Sequence, residues 1–221
     1  MESRRAGRGA RALLLVPLFL MILPELVLVP ADHGFWGSAA WRPMAYQDGA
    51  FWAGLLHDWR PNYAIQPGLM FVTYAFLHAG PGHLLGNALA LVPLGQETER
   101  WLGAGRTLAV GAAAALGGAA TFALLSQSVS PMIGASGVDF GLAGALVTRE
   151  ALRPGGGRTA LGLALGLALI NLAMWALMAH VAWETHLGGA LAGAGAAWAL
   201  RPRNHGPQPA DVPSTRANTR S

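Results

Sequence analysis

Six apolar segments, at about residues 12–29, 82–95, 107–126, 136–148, 159–178 and 181–200, constrain this chain more than any other feature. As α-helix, a run of about 20 residues rises roughly 30 Å, the thickness of a bilayer's hydrocarbon core. Backbone in that medium has no water to bond, so it must satisfy its own N–H and C=O groups. The expected fold is therefore all-α, a polytopic membrane protein of six transmembrane helices. Composition agrees: of 221 residues, 53% are hydrophobic and only 12% charged, and mean hydropathy is +0.38.

Charge orients the segments. All fifteen basic residues are arginine, and thirteen fall on one side: Arg4, Arg5, Arg8 and Arg11, then Arg100 and Arg106, then Arg149, Arg153 and Arg158, then Arg201, Arg203, Arg216 and Arg220. Arg42 and Arg60 fall on the other. Positive charge collects on the cytoplasmic side, so both termini are expected there. The start resembles a signal peptide, but the apolar run from Ala12 to Val29 exceeds a signal core and is read as an uncleaved span. Glu25 near its outer end is read as an interfacial or helix-facing carboxylate.

The resulting organisation is a basic cytoplasmic N-terminus (1–11), a membrane domain (12–200) and a polar, Pro-rich, disordered cytoplasmic tail (201–221). Within the membrane domain, residues 31–81 form an outward loop whose Trp36, Trp41, Trp52 and Trp59 suit a membrane interface. The arginines separate apolar runs instead of forming an aromatic-interleaved patch, which argues against nucleic acid. With no cysteine there is no disulfide framework and no thiolate metal site.

Several polar side chains share one depth. Ser136 lies thirteen residues above Arg149, about 20 Å; His186 lies fifteen above Arg201, about 22 Å; His83 lies fourteen above Glu97, about 21 Å, with Asn87 one turn below. In a core roughly 30 Å thick, that is some 10 Å beneath the outer surface. Each alone has an ordinary explanation, G-A-S-G as a close-packing surface and the histidines and asparagine as interhelical hydrogen-bonding groups. Convergence on one layer points instead to a water-filled cavity, because isolated polar groups there are costly.

Serine becomes a nucleophile when a base takes its proton, and an imidazole, which titrates near neutrality, suits that task. Ser136 and His186 are thus the candidate nucleophile and base, a dyad with no third member evident. His83 and Asn87, at i and i+4, can donate to an oxyanion alongside the Ser136 N–H at a helix start. Gly137 with Gly141, and Gly189 with Gly193, have the small-xxx-small spacing that lets helices approach. With no H-E-x-x-H, neither metal nor cofactor is expected. A small transporter is disfavoured by the off-centre polar layer and the lack of evident inverted repeats.

These residues resemble the rhomboid family of intramembrane serine proteases. The likeness runs through "TYAFLHAGPGHLLGNALALVPLGQETERWLG", "GASGVDFGLAGAL" and "VAWETHLGGALAG", over about 120 residues and in family order. It implies a six-helix rhomboid-like bundle, with Ser136 as nucleophile in G-x-S-G (Gly134 to Gly137), His186 as base in H-x-x-G, and His83 and Asn87 as oxyanion donors. Phe140 would stack on the base. His78 and Thr73 match positions often polar in the family, and Glu99 and Gly103 match the cytoplasmic end of the second span. The implied partners are transmembrane protein substrates and the lipid bilayer, and the implied location is a bacterial inner (plasma) membrane. A non-proteolytic relative that binds transmembrane clients would typically lack the serine or histidine.

Three departures stand out. Leu69 and Met70 occupy the place of a Trp-Arg pair found in some members. Thr185 replaces a frequent alanine and brings a hydroxyl near the base. Asp139 stands where the family is usually apolar; its S-x-x-D spacing suits helix capping, and an influence on the dyad is the alternative.

Overall fold

The computed structural model describes residues 2–178 and 181–202. Among them lie eight α-helices: α1 (Glu2–Asp32), α2 (Trp41–Gly49), α3 (Gln66–Thr73), α4 (Pro81–Leu102), α5 (Ala104–Leu125), α6 (Ser136–Ala151), α7 (Gly157–Leu177) and α8 (Trp183–Leu200). Backbone chemistry sets several of these boundaries. Pro81 opens α4 behind Gly80 (φ +91°), since its missing N–H would be unpaired there anyway. Gly103 (φ +81°) closes α4 by donating its N–H to Glu99 O at 2.8 Å.

Among the described residues, three helical stretches are long and apolar enough to cross a membrane: Leu15–Asp32, Ala104–Leu125 and Gly157–Leu177. α7 shows most directly what surrounds them. Ala160 is its one buried residue, while Leu161, Leu165, Leu169, Leu172 and Trp175 are exposed. A helix that is apolar all round and uncovered by protein belongs in lipid, so this is an integral membrane protein. α1 instead turns one stripe inward, Met21, Glu25, Leu28 and Ala31, and leaves Val16, Phe19, Leu23 and Leu26 outside.

The centre is a glycine-lined seam. α8 packs along both α5 and α6, far more closely than α7 packs on anything. A Cβ on Gly189 would strike the carbonyl of Gly137, one on Gly193 the backbone of Gly141, and one on Gly144 the backbone of Ala190. On the opposite side a Cβ on Gly118 would come within 2.9 Å of Thr185 O. Small residues thus let three backbones touch, where dispersion and not hydrophobic burial holds helices together in lipid.

The loop between α1 and α4 is more ordered than its composition suggests. Phe51, Ala53, Met70 and Tyr74 form a buried cluster with Phe122 and Met132, while Trp36, Trp41 and Trp59 are exposed. Arg42 ties the loop down: it forms a two-pronged pair with Glu25 (2.7 and 2.9 Å), reaches Asp32 at 2.7 Å and donates to His78 O at 2.8 Å. The Glu25 carboxylate holds the Arg42 guanidinium above its ordinary range. Glu25 therefore faces the helices.

Some boundaries differ from the sequence expectation. α4 runs to Leu102 because Thr98 is fully buried and Glu97 pairs with Arg149 of α6 at 3.3 Å. The basic residues 2–11 continue α1 as helix. Of the expected tail, residues 203–221 lie outside the described residues.

Candidate active site

The segment before α6 descends as irregular backbone, yet its polar groups are met by protein. Met132 and Phe51 exchange two backbone hydrogen bonds of 3.0 Å, and Gly134 N–H donates to Tyr74 O at 2.9 Å. Only such protein-lined backbone is tolerated at membrane depth. Gly134 then turns with φ +107°, a conformation that strains any other residue, and α6 starts at Ser136. Its sixteen residues span about 24 Å, less than the roughly 30 Å of a bilayer core.

The seam brings Ser136 and His186 together. Ser136 Oγ lies 2.8 Å from His186 Nε2. Phe140, one turn along α6, stacks on the imidazole with ring centres 4.3 Å apart and planes 2° from parallel. Gly137 and Gly189 touch just behind the pair, and Gly141 and Gly193 one turn further. The other imidazole nitrogen, Nδ1, lies 2.8 Å from Asn171 Oδ1 on α7.

Asn171 was missed in the sequence. Its position carries the same signal as the others: it stands thirteen residues above Arg158, about 20 Å, level with Ser136.

His83 and Asn87 converge on the same place from α4. Ala79 N–H donates to His83 Nδ1 at 3.2 Å, so the neutral ring keeps its proton on Nε2. A Cβ on Gly134 would lie 2.8 Å from His83 Nε2 and 3.4 Å from Asn87 Nδ2, so both donors lie over that glycine, two residues from Ser136. Asn87 Nδ2 is buried and donates to no protein group. A cavity of about 1090 Å³ between α4, α6, α7 and α8 holds Ser136, His186, His83 and Asn87 on its wall.

Of the remaining residues, Asp139 departs from the sequence reading. Asp139 does not cap α6: the N-cap is Ala135 and no side chain bonds the helix start. The turn at Gly134 begins the helix one residue too early for S-x-x-D, and Ser136 Oγ is already engaged with His186. Asp139 instead faces the cavity, buried, with Oδ1 lacking a protein partner. The Thr185 hydroxyl makes no bond to His186; its methyl packs near Gly118 and Gly137. His78 is fully buried, edge-on to His83 at 5.1 Å, and outside the cavity wall. Thr73 donates to Gly49 O at 2.6 Å, a loop contact, and Glu99 and Gly103 lie at the far end of α4.

Fold and site together define an integral membrane protein with a serine–histidine pair set among its helices. The Rhomboid domain family model matches residues 66–203, more than half of the sequence, and the chain belongs to the rhomboid family. It is similar to the Rhomboid protease GluP of Bacillus subtilis (strain 168), with 36% identity over 135 residues, 58% of this chain and 25% of that protein. The chain thus spans about a quarter of the length of that relative.

Proposed function

We propose that the chain is an intramembrane serine protease that hydrolyses peptide bonds in or near transmembrane segments of other membrane proteins. The observation that carries this reading is the 2.8 Å contact between Ser136 Oγ and His186 Nε2 on the wall of a cavity among the helices. In this reading α1, α4, α5, α6, α7 and α8 are six spans, with both termini in the cytoplasm of a cell whose plasma membrane holds the protein. The Glu97–Arg149 pair supports a shared cytoplasmic face for the ends of α4 and α6.

The chemistry follows from the groups present. His186 Nε2 takes the Ser136 proton as Oγ attacks the scissile carbonyl carbon. The negative charge that develops on the carbonyl oxygen meets His83 Nε2–H, Asn87 Nδ2–H and the first N–H groups of α6. The imidazolium then returns its proton to the departing amine as the C–N bond breaks. Water, deprotonated by the same histidine, hydrolyses the acyl-serine ester. A carbonyl inside a helix is occupied by its own hydrogen bond, so cleavage favours a small residue in helix-breaking surroundings, which unwind at low cost.

The test is labelling of the purified protein with a fluorophosphonate probe. Wild type should label and Ser136→Ala should not. Labelling that survives in Ser136→Ala, or a wild type that never labels, would overturn the proposal.

A further inference from the structure

We propose that Asn171 is a positioning residue that fixes the tautomer and ring orientation of His186, so that the protease works with a serine–histidine–asparagine chain; the inference rests on the reading above. Asn171 is the sole amide or charged side chain of α7 beyond Arg158, in a helix of mean hydropathy 2.0 that presents most of its surface to lipid. A polar group there is costly unless bonded. Asn171 uses both ends of its amide: Oδ1 meets His186 Nδ1 at 2.8 Å, and Nδ2 donates to Trp183 O at 3.1 Å.

The second bond determines the first. Trp183 O is a backbone carbonyl and can only accept, so the amide must turn its NH₂ toward it. That leaves Oδ1, an acceptor, facing the imidazole, and Nδ1 must carry the ring proton. A neutral imidazole has one proton, so Nε2 bears the lone pair and Ser136 O–H donates to it. The opposite tautomer would set two acceptors against each other at 2.8 Å and leave Nε2 unable to receive the serine proton. Asparagine thus performs the orienting part of a triad acid's task, without a carboxylate's charge.

Phe140 stacks on the ring but allows rotation in its own plane, and the Asn171 bond removes that freedom. The alternative role for Asn171 is interhelical glue between α7 and α8 through Trp183 O, which would affect stability and leave the chemistry untouched.

The experiment uses the purified full chain as wild type, Asn171→Leu and Asn171→Asp. Fluorophosphonate inactivation is followed against probe concentration, and side-chain ¹⁵N spectra are recorded on histidine-labelled protein, with the His186 signals assigned by their loss in His186→Gln. The limiting inactivation rate of Asn171→Leu should fall about ten- to a hundredfold, the range seen when a partner orienting a metal-bound histidine is removed. The half-saturating probe concentration should stay within about threefold, because ground-state binding is untouched. Asn171→Asp, which keeps an acceptor on Nδ1, should label faster than Asn171→Leu. His186 should carry its proton on Nδ1 in wild type and on a mixture of nitrogens in Asn171→Leu.

Lowered thermal stability with an unchanged limiting rate would assign Asn171 to glue and overturn the inference, as would a wild-type proton on Nε2. A wild type that never labels would overturn the protease reading alone, and the ¹⁵N spectra would still decide the hydrogen-bond assignment.

Discussion

Gly134→Ala tests whether His83 and Asn87 act from where the geometry puts them. The new Cβ would lie 2.7 Å from His83 Cε1 and 2.8 Å from Nε2, closer than real Cβ atoms approach, so the ring must move. The backbone conformation at φ +107° adds about 1–3 kcal/mol of strain. If ring movement removes one oxyanion donor, activity falls about 10²- to 10³-fold, or roughly 2.7–4 kcal/mol of transition-state stabilisation. His83→Ala should cost a similar factor with little loss of stability. In the double variant the Gly134→Ala step should then lower activity by less than about tenfold, because the donor it displaced is already gone. The assay is cleavage of a single-span reporter in detergent or liposomes, with thermal midpoints recorded in parallel. Gly134→Ala activity within about threefold of wild type, or strict additivity with His83→Ala, would refute the reasoning.

Three further outcomes follow from the packing. Arg42→Ala strands the Glu25 carboxylate and should lower stability by about 3–5 kcal/mol in detergent unfolding, with Glu25→Gln recovering part of it. Asp139→Leu should stabilise by about 1–3 kcal/mol, since it removes a buried oxygen without a protein partner; a capping role would instead predict a loss of about 0.5–2 kcal/mol in the same melt. Gly189→Ala drives a methyl into the Gly137 carbonyl and should push α6 from α8, and a misplacement of about 1 Å between Ser136 and His186 costs on the order of 10²-fold in labelling rate.

The close approach of α6 and α8 was legible because its determinants are local: glycines four apart on one helix meet glycines four apart on another, and Ser136 and His186 sit at the outer end of each row. His83 and Asn87 were legible for the same reason, one helix face at one depth. Asn171 was legible in depth alone: a single asparagine in an apolar run carries no spacing motif, and its partner lies on a different helix across a turn. Asp139 misled because a capping pattern presumes where the helix starts: S-x-x-D needs Ser136 as the N-cap, whereas Ala135 is the N-cap and Ser136 is already the first helical residue. The loop between α1 and α4 resisted reading for another reason: its order comes from long-range contacts, the Phe51 to Met132 bridge and Arg42 reaching Glu25 and His78, none of which alters local periodicity.

Among the described residues, the buried side-chain atoms without a protein partner belong to His78, Asn87, Asp139 and Thr185. Each adjoins the proposed machinery: His78 touches the His83 ring, Asn87 lies one turn from His83, Asp139 lies one turn from Ser136, and Thr185 precedes His186. Elsewhere the same protein satisfies its buried polar groups with care, as Thr98, Thr107 and Gln66 do through backbone carbonyls. A buried group left without any partner costs about 1–3 kcal/mol, and Asn87 and Asp139 both line the cavity, where water or substrate can meet them. The glycine seams offset that loss beside the place where it falls, since α5, α6 and α8 meet backbone to backbone beneath the cavity floor. The proposed site thus rests on the closely packed seam of α5, α6 and α8, and α7, which buries only Ala160, contributes the side chain that meets His186 Nδ1.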